Sequence, residues 1–252
     1  MSVYCHDDLE LRYEVTGVGA PVLCVHGATG TGAHEWSRLV APLEPRYRFV
    51  VPDLRGHGSS DYRAGAMSIE TVNGDLLELI AHEQLGSPHV LAFSFGAEVA
   101  LDLELTHPGT AASLILLSPG LGDPKSSVPT RSQLEAAWPT KLKALHAERH
   151  GEEHWLEIML ELCDRAAVRP KADLDAVAEI RCPMLLVLGS NDDPRRLRQA
   201  EIICEAHDQT ELVVIEGGRH AVHRDHPSET VAVIGAFLDQ ITATAGSGAP
   251  RS

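Results

Sequence analysis

Seven short β-forming runs, most of them followed by a longer stretch with helical spacing, limit what this chain can fold into. The runs are Leu9–Thr16, Val22–His26, Phe49–Pro52, Val90–Phe93, Leu114–Ser118, Met184–Gly189 and Leu212–Glu216. The first alternates apolar and polar residues, as an edge strand with one wet face does, and the later ones are continuously apolar. Continuous apolar runs of four to six residues suit strands buried on both faces of a parallel sheet. Between them, Ile69, Val72, Leu76, Leu79 and Ile80, or Val99, Leu103 and Leu105, repeat at helical intervals. Strand and helix in alternation predict an α/β fold: a mostly parallel sheet flanked by helices and joined by right-handed crossovers.

The beat breaks once, between Pro119 and Arg181, where the chain has several prolines, two or three helical patches and no plausible strand. We read this segment as a helical cap inserted into the core. All four lysines (Lys125, Lys141, Lys143, Lys171) fall within it, a composition shift that supports a boundary. The expected organisation is a core of residues 1–120 and 181–243, a cap at 121–180 and a flexible tail at 244–252.

Composition narrows the partners. Among 252 residues, Lys+Arg number 21 against Asp+Glu 36, a formal net charge of −15. Phosphate backbones and anionic membrane surfaces call for basic patches, so neither a nucleic acid nor a membrane is the expected partner. Most of the excess acidity falls before residue 120, away from the cap, and fits a solubility property of the scaffold. The five cysteines (Cys5, Cys24, Cys163, Cys182, Cys204) contain no C-x-x-C pair and are read as reduced thiols. MSVYCHDDLE has no basic n-region and no apolar h-region, and no segment approaches the roughly 20 apolar residues of a membrane span. The expectation is a cytoplasmic protein, monomeric or homodimeric, acting on a small molecule. With no dinucleotide fingerprint, P-loop or metal-binding helix, no cofactor or metal is implied.

Chemistry concentrates where strands end. Ser94 follows the run Val90–Phe93 and precedes the helical stretch Ala97–Leu105, with small residues, Ala92 and Gly96, two places to either side. A serine on such a sharp strand-to-helix turn is lifted above the sheet. Val22–Val25 runs into His26-Gly27-Ala28-Thr29-Gly30, a glycine-rich turn whose backbone N–H groups can face a developing oxyanion. Leu185–Gly189 leads into Ser190-Asn191-Asp192-Asp193, and Leu212–Ile215 into Gly217-Gly218-Arg219-His220. Carboxyl ends of parallel strands converge on one rim, where serine, acid and histidine distant in sequence can meet.

With these residues the chain resembles the α/β-hydrolase fold superfamily over essentially its full length. The carriers are HGATG (26–30), DLRGHGSSD (53–61), AFSFG (92–96), GSND (189–192) and GGRH (217–220), and the one departure from the elbow pattern is Ala92 for glycine. The resemblance implies Ser94 as nucleophile, Asp192 as acid, His220 as base, and the N–H groups of Ala28 and Phe95 as oxyanion hole. It also implies structural roles for His26, which braces the oxyanion loop, and for Asp53–Gly58 beside the site.

Other candidates stay open. Asp193 adjoins Asp192, and Asp123 lies beyond the run Leu114–Ser118; the family spacing favours Asp192. His220, His223 and His226 lie close enough in sequence for a metal cluster, but the triad accounts for His220. His146, His150 and His154 recur every four residues and read as a solvated helical face. Trp138, Trp155 and Met159 are candidate walls of a substrate pocket, or cap packing, and Thr29 a candidate substrate contact.

Ser94 argues against the dehalogenase and epoxide-hydrolase relatives, which carry aspartate there, and Phe93 against carbon–carbon bond hydrolases, which tend to carry asparagine just before the serine. A cap of about 60 residues favours a small or medium carboxylic ester or lactone. The same triad also serves non-hydrolytic biosynthetic enzymes (cyclase, dehydratase, acyl transferase), and the fold also serves ligand-binding receptors.

Overall fold

The computed structural model describes residues 1–120, 130–137, 140–168 and 174–247. Among them, eight strands form one sheet: β1 (Ser2–His6), β2 (Leu9–Gly17), β3 (Ala20–Val25), β4 (Tyr47–Pro52), β5 (His89–Phe93), β6 (Ser113–Leu117), β7 (Met184–Gly189) and β8 (Thr210–Ile215). Their order is β1-β2-β4-β3-β5-β6-β7-β8, parallel from β4 onward, with β1 and β2 joined antiparallel.

The helices of the core are α1 (Gly32–Val40), α2 (Ile69–His82) and α3 (Phe95–Thr106). Between β6 and β7 the described residues are helical: α4 (Arg131–Ala137), α5 (Thr140–Lys143), a 3₁₀ turn at Ala144–His146, α6 (Ala147–His150), α7 (His154–Val168) and α8 (Leu174–Ala178). The chain closes with α9 (Pro194–Ala206), α10 (Val222–Asp225) and α11 (Pro227–Ser247). Helix α11 takes in Thr244–Ser247, which the sequence had assigned to the tail, because alanine and threonine continue the preceding helical run; 248–252 lie outside the described residues. No helix among the described residues is long and apolar enough to cross a membrane.

The apolar runs divide by parity between two cores. Leu23, Val90, Ala92, Leu114, Leu116, Met184 and Leu186 face α2, α3 and α9. Val22, Leu91, Phe93, Ile115, Leu117, Leu185 and Val187 face α1 and α11 through Trp36, Leu39, Ile234, Phe237 and Leu238. A side chain of this kind contributes about 1.5–3 kcal/mol when fully buried. All five residues of β5 and of β6 are buried, which is why both strands read as unbroken apolar runs. Helix α2 starts on a reciprocal cap: Ser68 accepts from Thr71 N–H, and Thr71 Oγ1 from Ser68 N–H.

Two edge assignments differ from the sequence reading. β2 alternates as expected but is not an edge, since β1 pairs outside it. β8, read as doubly buried, is the other edge, and Val214 there is exposed. β1 escapes a pattern search because it is short, polar and set at the chain start.

From the segment between β6 and β7, Leu134, Trp155, Leu156, Ile158, Met159 and Leu162 join the same apolar cluster as α2 and α3.

Candidate active site

Ser94 sits between β5 and α3 with φ 51° and ψ −116°, a conformation L-residues rarely adopt. Its own N–H still pairs with Leu117 of β6 at 3.0 Å, so the sheet holds the turn in place. Gly96 is required by crowding rather than by its torsion angles: a Cβ there would run into the carbonyl oxygens of Val25 and His26. A Cβ on Gly27 would lie 2.9 Å from the Phe93 ring and 3.5 Å from the Cβ of Ser94. Ala92 is fully buried, paired with Val25 on one side and Leu116 on the other, so the elbow forms with alanine in place of the first glycine.

The ends of β5, β7 and β8 bring three predicted residues together. His220 Nε2 lies 2.9 Å from Ser94 Oγ, and Nδ1 lies 3.2 and 3.3 Å from the two carboxylate oxygens of Asp192. With Nδ1–H donated to the carboxylate, the Nε2 lone pair is left to accept the serine proton. Asp192 is buried and also accepts from Asp193 N–H at 2.7 Å. Burial pushes its carboxyl up, but the hydrogen bond and charge of His220 outweigh this and hold it below the usual carboxylate range. Asp193 turns away: it caps α9 by accepting from Arg195 N–H at 2.9 Å and pairs with the Arg195 guanidinium. Asp123 lies outside the described residues.

The candidate oxyanion loop, Gly27–Gly30, is a turn closed by Gly30 N–H on Gly27 C=O at 3.3 Å. Three histidine rings hold its successive carbonyls. His26 Nδ1 is 2.8 Å from Gly27 O, His57 Nε2 is 2.9 Å from Ala28 O, and His146 Nε2 is 3.2 Å from Thr29 O. The Gly27 carbonyl and the Ala28 N–H share one peptide plane and point oppositely, so the His26 bond aims that N–H. The other candidate donor, Phe95 N–H, is at the first turn of α3, where amides lack intrahelical partners.

The surroundings of His26 and His146 fix which ring nitrogen carries the proton, whereas both nitrogens of His57 face carbonyls, Arg55 C=O at 3.0 Å and Ala28 C=O at 2.9 Å, and a neutral ring donates to one of them. His26 Nε2 accepts from Leu54 N–H at 2.9 Å, and burial with the nearby His57 pushes His26 well down. Burial lowers His57 likewise. The loop carrying His57 is anchored by Asp53, which accepts from Gly32 N–H at 2.8 Å and Ser59 N–H at 3.0 Å. A buried bidentate pair, Arg55 with Asp75 at 2.6 Å through each nitrogen, ties it to α2.

Other sequence candidates go elsewhere. His223 Nε2 meets the buried Glu35 at 2.7 Å, while His226 lies 3.6 Å from Glu229, so the three histidines of HAVHRDH diverge to separate partners. His146, His150 and His154 do not form a solvated face, as the four-residue spacing had indicated. They sit on the 3₁₀ turn, on α6 and at the start of α7, with Gly151 (φ 89°) breaking the chain between the last two, and His146 and His154 are buried against the 56–58 loop. Trp155 and Thr29 line a crevice with Ala28, Gly56, His57, Leu142, His146 and Ile158. It holds about 210 Å³ of empty space and is nowhere wide enough for a water molecule. Met159 is buried in the core cluster instead, and Trp138 lies outside the described residues.

Sequence reasoning passed over Ser118. It follows β6 with φ 47°, and its hydroxyl donates to His220 C=O at 2.7 Å. The signal was available: a serine just past an apolar strand, as at Ser94.

Comparison with known proteins follows the same lines. The profile of the alpha/beta hydrolase family matches residues 22–233. A pimeloyl-[acyl-carrier protein] methyl ester esterase of Aeromonas hydrophila is 26% identical, over 91% of this chain and 100% of that protein. A thermophilic esterase from Thermogutta terrifontis superposes with a TM-score of 0.78 at 23% identity, covering 92% of this chain and 94% of that one. The enol-lactonase from Burkholderia xenovorans gives a TM-score of 0.78 at 18% identity, covering 94% and 100%. These two structures share the fold.

Proposed function

The chain belongs to the alpha/beta hydrolase family, and from that membership we propose that it cleaves small or medium carboxylic esters or lactones through an acyl-enzyme on Ser94. The observation that carries the reading is the His220 ring, bridging Ser94 Oγ at 2.9 Å and the Asp192 carboxylate at 3.2 Å above the strained elbow. Ser94 Oγ attacks the acyl carbon while its proton passes to His220 Nε2. Asp192, kept ionised, holds the ring's tautomer and stabilises the imidazolium. The N–H groups of Ala28 and Phe95 receive the oxyanion, His220 protonates the departing alcohol, and water releases the acid with the same ring as base.

Small or medium substrates are favoured by the modest length of the segment between Pro119 and Arg181, about 60 residues. The methyl ester esterase among the relatives supports ester chemistry.

The test is a panel of p-nitrophenyl esters of increasing acyl length and of simple lactones, run on wild type and Ser94→Ala side by side. We expect turnover that peaks at short acyl chains and falls by about 10⁴-fold or more in the variant. Full turnover in Ser94→Ala overturns the mechanism. Labelling of Ser94 by a fluorophosphonate without turnover of any ester or lactone overturns the substrate class and points to non-hydrolytic chemistry on the same triad.

A further inference from the structure

We infer that His146, contributed by the segment between β6 and β7, is a positioning residue for the oxyanion hole: its neutral ring holds the loop that carries Ala28 N–H. The inference rests on the proposed serine mechanism, and its main test does not depend on which ester is cleaved.

The geometry fixes both ring nitrogens. Nδ1 accepts from Gly58 N–H at 3.0 Å, so it carries no proton. The ring hydrogen is therefore on Nε2, which donates to Thr29 C=O at 3.2 Å. His146 is 3% exposed and packs edge-on against His57 at 5.2 Å, which in turn meets His26 at 4.9 Å. The three rings thus form one edge-to-face row beside the loop, facing in turn the carbonyls of Gly27, Ala28 and Thr29. His26 and His57 come from the core, and His146 from the other side of the crevice. Rotating the Gly27 or the Thr29 peptide of this turn breaks a bond to a ring. Without His146, the peptide following Thr29 is held only by the Gly30 N–H bond to Gly27 C=O.

No charged partner favours a proton on this ring. The groups facing it are His57 from the loop after β4, and His150 and His154 from α6 and α7; burial, then His57, push it down to about 3. Asp53 lies beneath the same loop but spends its oxygens on Gly32 and Ser59 N–H.

Two variants separate aiming from simple docking. In general chemistry Gln places its amide nitrogen where the histidine Nε2 sits, and Asn places its oxygen where Nδ1 sits. His146→Gln keeps the donation to Thr29 C=O, whereas His146→Asn keeps the acceptance from Gly58 N–H. The readout is the second-order rate at which a fluorophosphonate labels Ser94, since its phosphoryl oxygen enters the same hole as Ser94 Oγ bonds to phosphorus and fluoride leaves. For variants melting within a few degrees of wild type, we expect His146→Ala and His146→Asn to label about 10- to 100-fold slower, because a displaced catalytic dipole costs on that scale. His146→Gln should return to within a few-fold of wild type. With an ester that wild type turns over, kcat should fall in the same ratio while KM holds. Rescue by Asn as good as by Gln assigns His146 to docking alone and overturns the inference, as does a folded His146→Ala labelling at the wild-type rate. Failure of wild type to turn over any ester, with this labelling pattern intact, overturns the substrate reading and leaves the His146 role standing.

Discussion

Replacing Ser94 by glycine should stabilise the protein in the same stroke that removes its proposed nucleophile. The serine holds φ 51° and ψ −116°, and a non-glycine residue in such a region costs about 1–3 kcal/mol. Ser94→Ala and Ser94→Gly both lose the 2.9 Å bond to His220, so comparing the two cancels that term. Alanine keeps the Cβ and the strain, whereas glycine relieves it and loses about 0.5–1 kcal/mol through the greater freedom of its unfolded chain. At the middle of both ranges the balance favours glycine by about 1 kcal/mol. For a chain of this length that is about 2–4 °C in Tm. Thermal melts of the two variants, followed by calorimetry or circular dichroism in one buffer, measure it directly. A glycine variant that melts at or below the alanine variant would refute the claim that the elbow stores backbone strain.

Two further expectations follow from the site. Asp192→Ala should cut turnover by about 10⁴-fold, in line with loss of a triad acid, whereas Asp193→Ala should leave turnover within a few-fold and cost about 0.5–2 kcal/mol of stability as a lost helix cap; steady-state kinetics and melts on the pair check both, and the reverse order of activities would reassign the acid. The folded protein keeps His26, His57 and His146 below the ordinary histidine range, so it binds fewer protons than the unfolded chain below about pH 6.5. Stability is then fully present above pH 6.5 and drains away as pH falls. His146 alone, pushed down to about 3, contributes about 2 kcal/mol of loss between pH 6.5 and 4.5, at 1.36 kcal/mol per unit of proton uptake and pH. Urea denaturation across that range should show it, with a shallower slope in His146→Gln; unchanged wild-type stability between the two pH values would contradict the burial argument.

What could be read from the sequence follows strand position. Ser94, Asp192 and His220 were legible because each stands just past a buried run, and parallel strands bring such positions to one rim. Asp192 and Asp193 were harder to separate by pattern, and it is the cap on α9 that distinguishes them. The fourfold spacing of His146, His150 and His154 imitated one helical face because periodicity says nothing of a break such as Gly151, where the chain turns at φ 89°. β2 and β8 were misjudged for a related reason: whether a strand is an edge depends on its neighbours in space, which hydropathy does not record. Ser118 shows the opposite case, a legible signal whose partner, the backbone of His220, lies 102 residues away.

The two crowded glycines bear on how a molecule of this kind loses an activity. A side chain at position 96 would strike the carbonyls of Val25 and His26, and one at position 27 the ring of Phe93, whether or not any substrate is ever bound. Selection for folding alone would therefore preserve both residues, and with them much of the motif by which the site was first noticed. A descendant that had exchanged Ser94 or His220 and ceased to turn over anything would still carry the outward signature of an enzyme. In lineages built on this scaffold, the glycines testify to the architecture, and only the side chains of the triad testify to the chemistry.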